Sequence, residues 1–281
     1  MRDAPFFRVI VHREDGNREL DGICAGFEQK VWRKEQLISH LADYIPEFAL
    51  PYSERQSIDS KDIRRMLRNA ARNLYQSVKY NNRGEIGELM LHVIIRELYN
   101  TIPAISKIYY KDGPNDTVKG FDAVHVIVKD DCLELWLGEV KFYTDITGAI
   151  NDVSKEINSH IQRDYLRDEF IAITNKIDEA WPHADKLKVL LDANTSLDQV
   201  FSQACIPVLL TYDSSVIAKY DESSEAYQTE IKDEFEKLFD AFKMKIGDEV
   251  PLTVHLFLLP LKTKAELVDA FDEELRKLQQ I

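Results

Sequence analysis

The chain has 281 residues, of which 44% are hydrophobic and 30% charged, the composition of an ordinary globular protein with a sizeable core. Its net charge of −13 argues against a protein that passively coats nucleic acid, and no apolar run approaches the length of a membrane span. The three scattered cysteines, Cys24, Cys132 and Cys205, exclude a disulfide framework and a thiolate-based zinc site, and an N-terminus without a secretory signal leads us to expect a cytoplasmic protein.

The charge is uneven: residues 1–145 hold 21 Lys/Arg and 23 Asp/Glu, and residues 146–281 hold 15 and 26. Phe6–Val11 and Leu20–Phe27 read as strands around an Asp15-Gly16-Asn17 turn, and Val31–Tyr44 has helical spacing before a loop bracketed by Pro46 and Pro51. Ser60–Lys79 reads as an amphipathic helix with Ile63, Leu67, Ala70, Leu74 and Val78 on one face. Arg64, Arg68 and Arg72 form a stripe on another face. It reads equally as a solvated surface or as a contact for DNA or a protein partner.

A turn at Asn81–Gly84 leads into a helix over Glu85–Tyr99, which Pro103 is expected to close. Strands are predicted at Ile108–Lys111, Phe121–Val128 and Leu133–Tyr143, the last two joined by a hairpin turn at Asp130-Asp131. Ile146–Leu166 and Asp168–Trp181 follow as helices, then helical segments at Ala184–Asn194 and Leu197–Ala204, a strand at Pro207–Tyr212, a helix over Ser224–Ile246, a strand at Leu252–Leu259 and a capped helix from Thr263 to Gln280. This order predicts an α/β fold with a mixed central sheet flanked by helices. Three segments are expected: an N-terminal elaboration over 1–55, a core over 56–215, and a C-terminal helix–strand–helix extension over 216–281 packed on the same core.

P-loop, dinucleotide-binding, zinc-protease and nucleophile-elbow motifs are absent. What stands out is Glu139-Val140-Lys141. Other pairs at this spacing, Glu28/Lys30, Glu230/Lys232 and Asp59/Lys61, lie in polar or helical settings and read as surface charges. Glu139 and Lys141 instead continue the apolar strand face of Leu133, Leu135 and Leu137, where charges are costly without partners. The hairpin register places Asp122 opposite Glu139, and two adjacent carboxylates are tolerated when a divalent cation lies between them. Oxygen ligands suit Mg²⁺ or Mn²⁺, and a lysine two residues on would point at whatever binds the cation, a recipe for phosphodiester hydrolysis. The bland alternative is a buried ion pair. Upstream, Glu85 and Glu88 open the helix between Gly84 and Gly87; they serve the helix dipole, or one of them turns toward the sheet, and the glycines permit close approach. His92 and His125 read as packed or hydrogen-bonded. His160, on the helix after the Glu-x-Lys strand, lies within reach of the site and is assigned no role.

An acid on a helix, an aspartate at a strand start and Glu-x-Lys on the next strand resemble the PD-(D/E)XK nuclease superfamily over about residues 80–215, although Phe121 stands where that pattern has Pro. With GEIGE, KGFDAVHV and LWLGEVKFY in this order, the chain is more closely similar to the nuclease-subunit family of the Hachiman anti-phage system, HamA. The resemblance implies a restriction-endonuclease-like core, Asp122 and Glu139 as metal ligands with the Val140 carbonyl as a third, Lys141 as catalytic lysine, Glu88 or Glu85 as a further ligand, Mg²⁺ as cofactor, DNA as substrate, and a superfamily 2-type, HamB-like helicase as partner. Two rivals stand beside it: an inactive docking subunit that keeps the nuclease fold, and an acidic DNA mimic.

Overall fold

A computed structural model describes residues 5–57, 59–75, 84–106, 120–130, 132–247 and 250–280. Nine strands and eleven α-helices are defined among them: β1 Arg8–Asp15, β2 Arg18–Cys24, β3 Phe27–Glu28, β4 Val31–Trp32, α1 Lys34–Ala49, α2 Tyr52–Gln56, α3 Ile63–Tyr75, α4 Gly84–Tyr99, β5 Ile102–Ser106, β6 Ala123–Lys129 and β7 Cys132–Phe142 lead to α5 Ile146–His160, α6 Arg163–Thr174, α7 Ala184–Leu190, α8 Leu197–Phe201, β8 Ala204–Asp213, α9 Ser215–Lys219, α10 Glu225–Ile246, β9 Thr253–Leu261 and α11 Lys264–Gln280. None of the described helices is long and apolar enough to cross a membrane.

Seven strands form one mixed sheet in the order β1-β2-β9-β8-β7-β6-β5. β2, β9, β8 and β7 run parallel, and β1, β6 and β5 are added antiparallel at the two sides. The sheet flanked by helices is the predicted α/β architecture. The central parallel strand β8 is covered on both faces: Val208, Leu209 and Leu210 are all fully buried.

β7 divides the two faces by alternation. Gly138, Val140 and Phe142 face α4, since a Cβ on Gly138 would meet Leu91 and one on Gly87 would meet Val140 and Phe142. Leu133, Leu135 and Leu137 face the other way, into a core completed by Leu166 and Phe170 of α6 and Leu187 of α7. α5 packs over the C-terminal halves of β7 and β8 and against α10.

Several sequence expectations need correction. Pro46 lies inside α1, not in a loop; the helix runs on one more turn because Phe48 and Ala49 are buried. α4 ends at Tyr99 as Asn100 turns to φ 54°, so Pro103 does not close it but sits in edge strand β5, where its missing N–H is tolerated. The helix expected over Ile146–Leu166 is two helices; Gln162 is extended (φ −65°, ψ 139°) and caps α6, which ends at Thr174. On α3, Ile63 is 45% exposed, and the buried face is Ala70, Ala71 and Leu74. β2 ends at Cys24, and Phe27 belongs to the short β3–β4 hairpin. The strand expected at Ile108–Lys111, the turn at Asn81–Arg83, the helix beyond Tyr75 and Asp131 lie outside the described residues.

Candidate nuclease site

The site is built on the β6–β7 hairpin. Lys129 pairs with Cys132 across a two-residue turn in which Asp130 takes φ 45°, the left-handed conformation that tight hairpins require. From that turn the register runs unbroken to Ala123 opposite Gly138. One step further, the Asp122 N–H donates to the Gly138 carbonyl at 2.8 Å, so Asp122 stands opposite Glu139. The Asp122 carboxylate accepts from the Val140 N–H at 2.9 Å, which fixes it at the end of the hairpin. The predicted juxtaposition of the two carboxylates is thus present.

Glu139 is 2% exposed and Lys141 9%, on the face that continues Leu135 and Leu137. Charges there need partners. α5 supplies them. Glu156 forms an ion pair with Lys141, and His160 Nδ1 hydrogen-bonds Glu139 Oε1. The two α5 residues are four apart and share a helix face. His160 is itself wedged between aromatics, stacked on Tyr165 at 4.3 Å and edge-on to Phe121 at 5.2 Å. Asp145 N-caps α5, accepting from the N–H groups of Thr147 and Gly148, which anchors the helix just beyond the end of β7.

Burial pushes the Glu139 carboxyl up to about 7; the hydrogen bond to His160 works against this, and the nearby Asp122 charge reinforces it. Burial lowers His160, but Glu139 more than reverses that, so the net shift is upward. The pair therefore keeps a proton near neutrality. Lys141 is likewise raised: burial disfavours its charge, and the Glu156 hydrogen bond and charge outweigh that. Burial and the Asp122 charge thus outweigh His160 and Lys141 at Glu139, and a divalent cation at the two carboxylates would offset both. The donor set suits Mg²⁺, which takes one or two carboxylates and otherwise water and phosphate oxygens. Asp122, Glu139 and the Val140 carbonyl are the groups that would hold it.

The α4 acids lie across the sheet. Glu85 is buried and Glu88 half-buried, either side of Gly87, which rests against Val140 and Phe142. Both therefore sit at the level of the Glu-x-Lys segment. Among the described residues, however, no group of three or more His, Cys, Asp or Glu side chains could hold a metal ion. α3 packs mainly on α11 and α1. Arg64 and Arg72 are exposed on it and Arg68 is half-buried, so the stripe lies on a helix layer away from the hairpin.

Glu156 escaped the sequence reading, and His160 was left without a role. The readable signal was their four-residue spacing on the helix after Glu-x-Lys. The histidines read as packed are packed: His92 Nδ1 lies 3.2 Å from His125 Nε2, and His125 Nδ1 lies 2.8 Å from Thr101 Oγ1. The other Glu-x-Lys and Asp-x-Lys pairs are surface charges, as expected; Lys30, for example, pairs with Glu222.

A family model described as HamA matches residues 4–275 of the chain. No curated protein matches it.

Proposed function

Because the chain belongs to the HamA family, and thus to anti-phage defence, we propose that it is a metal-dependent nuclease that hydrolyses DNA phosphodiester bonds under the control of a helicase partner. The observation that supports this best is the half-buried Asp122 opposite the buried Glu139, with buried Lys141 on the same strand face as Glu139 at the C-terminal end of a strand in an α/β sheet.

In this reading Asp122 and Glu139 hold Mg²⁺ with the Val140 carbonyl, and Glu88 or Glu85 acts on its water shell. The cation would polarise the scissile phosphate and acidify an attacking water. Lys141, held protonated by Glu156, orients that water and offsets negative charge developing on the phosphate. His160 fixes the Glu139 carboxylate, so its orientation is set before substrate arrives. The acidic C-terminal half keeps free DNA away until a partner delivers it, and the arginine stripe of α3 is a contact for DNA or that partner.

One observation favours a second reading, a docking subunit without catalysis: Glu139 and Lys141 already have partners on α5. Nicking of supercoiled plasmid with Mg²⁺ separates the two. Wild type, Glu139→Ala and Lys141→Ala are compared alone and with the helicase encoded beside the gene. The nuclease reading expects a loss of about 10²–10⁴-fold in each variant. Equal cleavage by the variants, or none by wild type in either setting, would leave the docking subunit.

A further inference from the structure

One polar concavity among the described residues involves none of the hairpin side chains. It is a cleft of 880 Å³ between the start of β1, the N-terminal half of α1 and the C-terminal end of α4. Arg8, Arg33 and Arg96 line it, one from each element, together with His40, Tyr44 and Phe6. Three guanidinium groups converging on one cleft are unexpected in a chain of charge −13.

The acids of the cleft are not directly paired with Arg8 or Arg33. Glu97 is 9% exposed at its side chain and is already occupied by the Phe6 N–H at 3.1 Å, by His40 and by the Tyr44 hydroxyl at 3.3 Å. Arg96 is already engaged: its Nε and Nη2 donate to the Glu47 carboxylate at 2.9 and 3.2 Å and its Nη1 to the Thr101 carbonyl, so it frames the cleft and Arg8 and Arg33 are the guanidinium groups left for a ligand. Arg8 and Arg33 make no ion pair among the described residues, and Asp43 is the one exposed carboxylate of the lining. Arg33 is also pre-positioned. Its guanidinium lies 4.4 Å over the Phe6 ring, Phe6 stacks on His40 at 4.8 Å, and Arg33 Nη1 donates to the Ala25 carbonyl. It further occupies the N-cap of α1, where no side chain caps the first turn, so the helix dipole favours the same sign of ligand.

A held guanidinium, Arg33, with Arg8 beside it at an uncapped helix start suits a ligand with several anionic oxygens. We infer that this cleft is a phosphate-binding site, distinct from the hairpin site, that takes the phosphoryl group of a nucleotide, with Arg8 and Arg33 on its oxygens. The nucleotide is either free or part of a DNA strand. A strand is sterically reasonable: Arg96 lies nine residues along α4 from Gly87, about 14 Å of helix axis, which is the rise of about four nucleotides.

The test is binding of a fluorescent, 5′-phosphorylated twelve-residue oligothymidylate to the full chain at low salt. It is read by polarisation in Lys141→Ala protein without metal, so failure of the nuclease reading leaves it untouched. Arg8→Gln/Arg33→Gln should weaken binding by tenfold or more, about what loss of one or two charged hydrogen bonds produces. Arg8→Gln alone, at an exposed position that folding does not need, should give part of that loss. Displacement by thymidine 5′-monophosphate would assign the site to free nucleotide; oligonucleotide binding that the monophosphate leaves intact would assign it to the strand. Unchanged affinity in both cleft variants, or a loss confined to Arg64→Ala/Arg68→Ala/Arg72→Ala, would overturn the inference.

Discussion

Gly87 is where the sequence motif and the site geometry meet, and replacing it by alanine is a sharp test of both. In a helix interior, Gly→Ala ordinarily adds about 0.5–1 kcal/mol of stability. Here the added Cβ would stand 2.7 Å from Val140 Cγ1 and 2.9 Å from Phe142 Cβ. Real Cβ contacts do not come that close, and Phe142 Cβ is fixed to its strand and cannot swing aside. α4 and β7 must separate instead, an overpacking cost of about 1–3 kcal/mol. The net expectation is a loss of up to about 2 kcal/mol, or up to about 4 °C in melting temperature for a chain of this size. Gly84→Ala is the control, because no described residue lies within 4 Å of its added Cβ. Calorimetric melting of the three proteins decides it: Gly84→Ala should melt at or above wild type and Gly87→Ala below it. Gly87→Ala melting as high as Gly84→Ala would refute the close approach of α4 to the Glu139–Lys141 segment. In the nicking assay, Gly87→Ala should also lose activity at temperatures where it is folded, because Val140 separates the two site residues.

Three further outcomes are expected. Mg²⁺ at a hundredfold excess over its Kd should stabilise wild type by about 2.7 kcal/mol in thermal melts, and Asp122→Asn should abolish the shift; equal shifts in both would place the cation elsewhere. Burial pushes the Glu47 carboxyl up, but the hydrogen bond and charge of His92 and the charge of Arg96 more than reverse this and hold it below the usual range. A depressed carboxylate contributes stability above its unfolded value of about 4.5 that is lost as pH falls, so wild type should lose melting temperature more steeply than Glu47→Gln on acidification from about pH 5 to 3. Parallel slopes would remove that role. Cys132 is exposed while Cys24 and Cys205 are buried, so a thiol reagent should titrate one cysteine in the native protein and all three after unfolding; two fast thiols in the native protein would contradict the packing around β2 or β8.

The elements that were legible are those whose signal is local. The β6–β7 hairpin declared itself through two alternating strands and an acidic turn, and its register alone placed Asp122 opposite Glu139. What was not legible depended on partners distant in sequence. The break between α5 and α6 carries neither Gly nor Pro; it exists because Ile157 is packed against the sheet while Leu166 and Phe170 belong to the separate core over the β6–β7 hairpin. Pro46 reads as a helix stop until the burial of Phe48 is known. Glu156 looks like any charge on an amphipathic helix, and only the fold shows it bonded to Lys141.

The place of β9 in the sheet has a consequence for how the chain is made. This strand, Thr253–Leu261, lies between β2 and β8 and is the sole parallel neighbour of β2. Residues 18–24 must therefore wait for residues 253–261 before their inner edge is paired. At about 5–20 residues per second, the ribosome imposes a delay of about ten to fifty seconds. During synthesis the nascent chain carries a hairpin, β1–β2, with an unpaired edge and no strand to join it to β8. The α4–β7 layer bearing Glu139 and Lys141 can form earlier, but the sheet around it closes only when this late strand inserts. Such long-range closure makes folding slow and the unfinished chain a target for chaperones. It also ties closure of the sheet around the candidate site to the synthesis of residues 253–261, a timing suited to a protein whose proposed activity would damage the cell's own DNA.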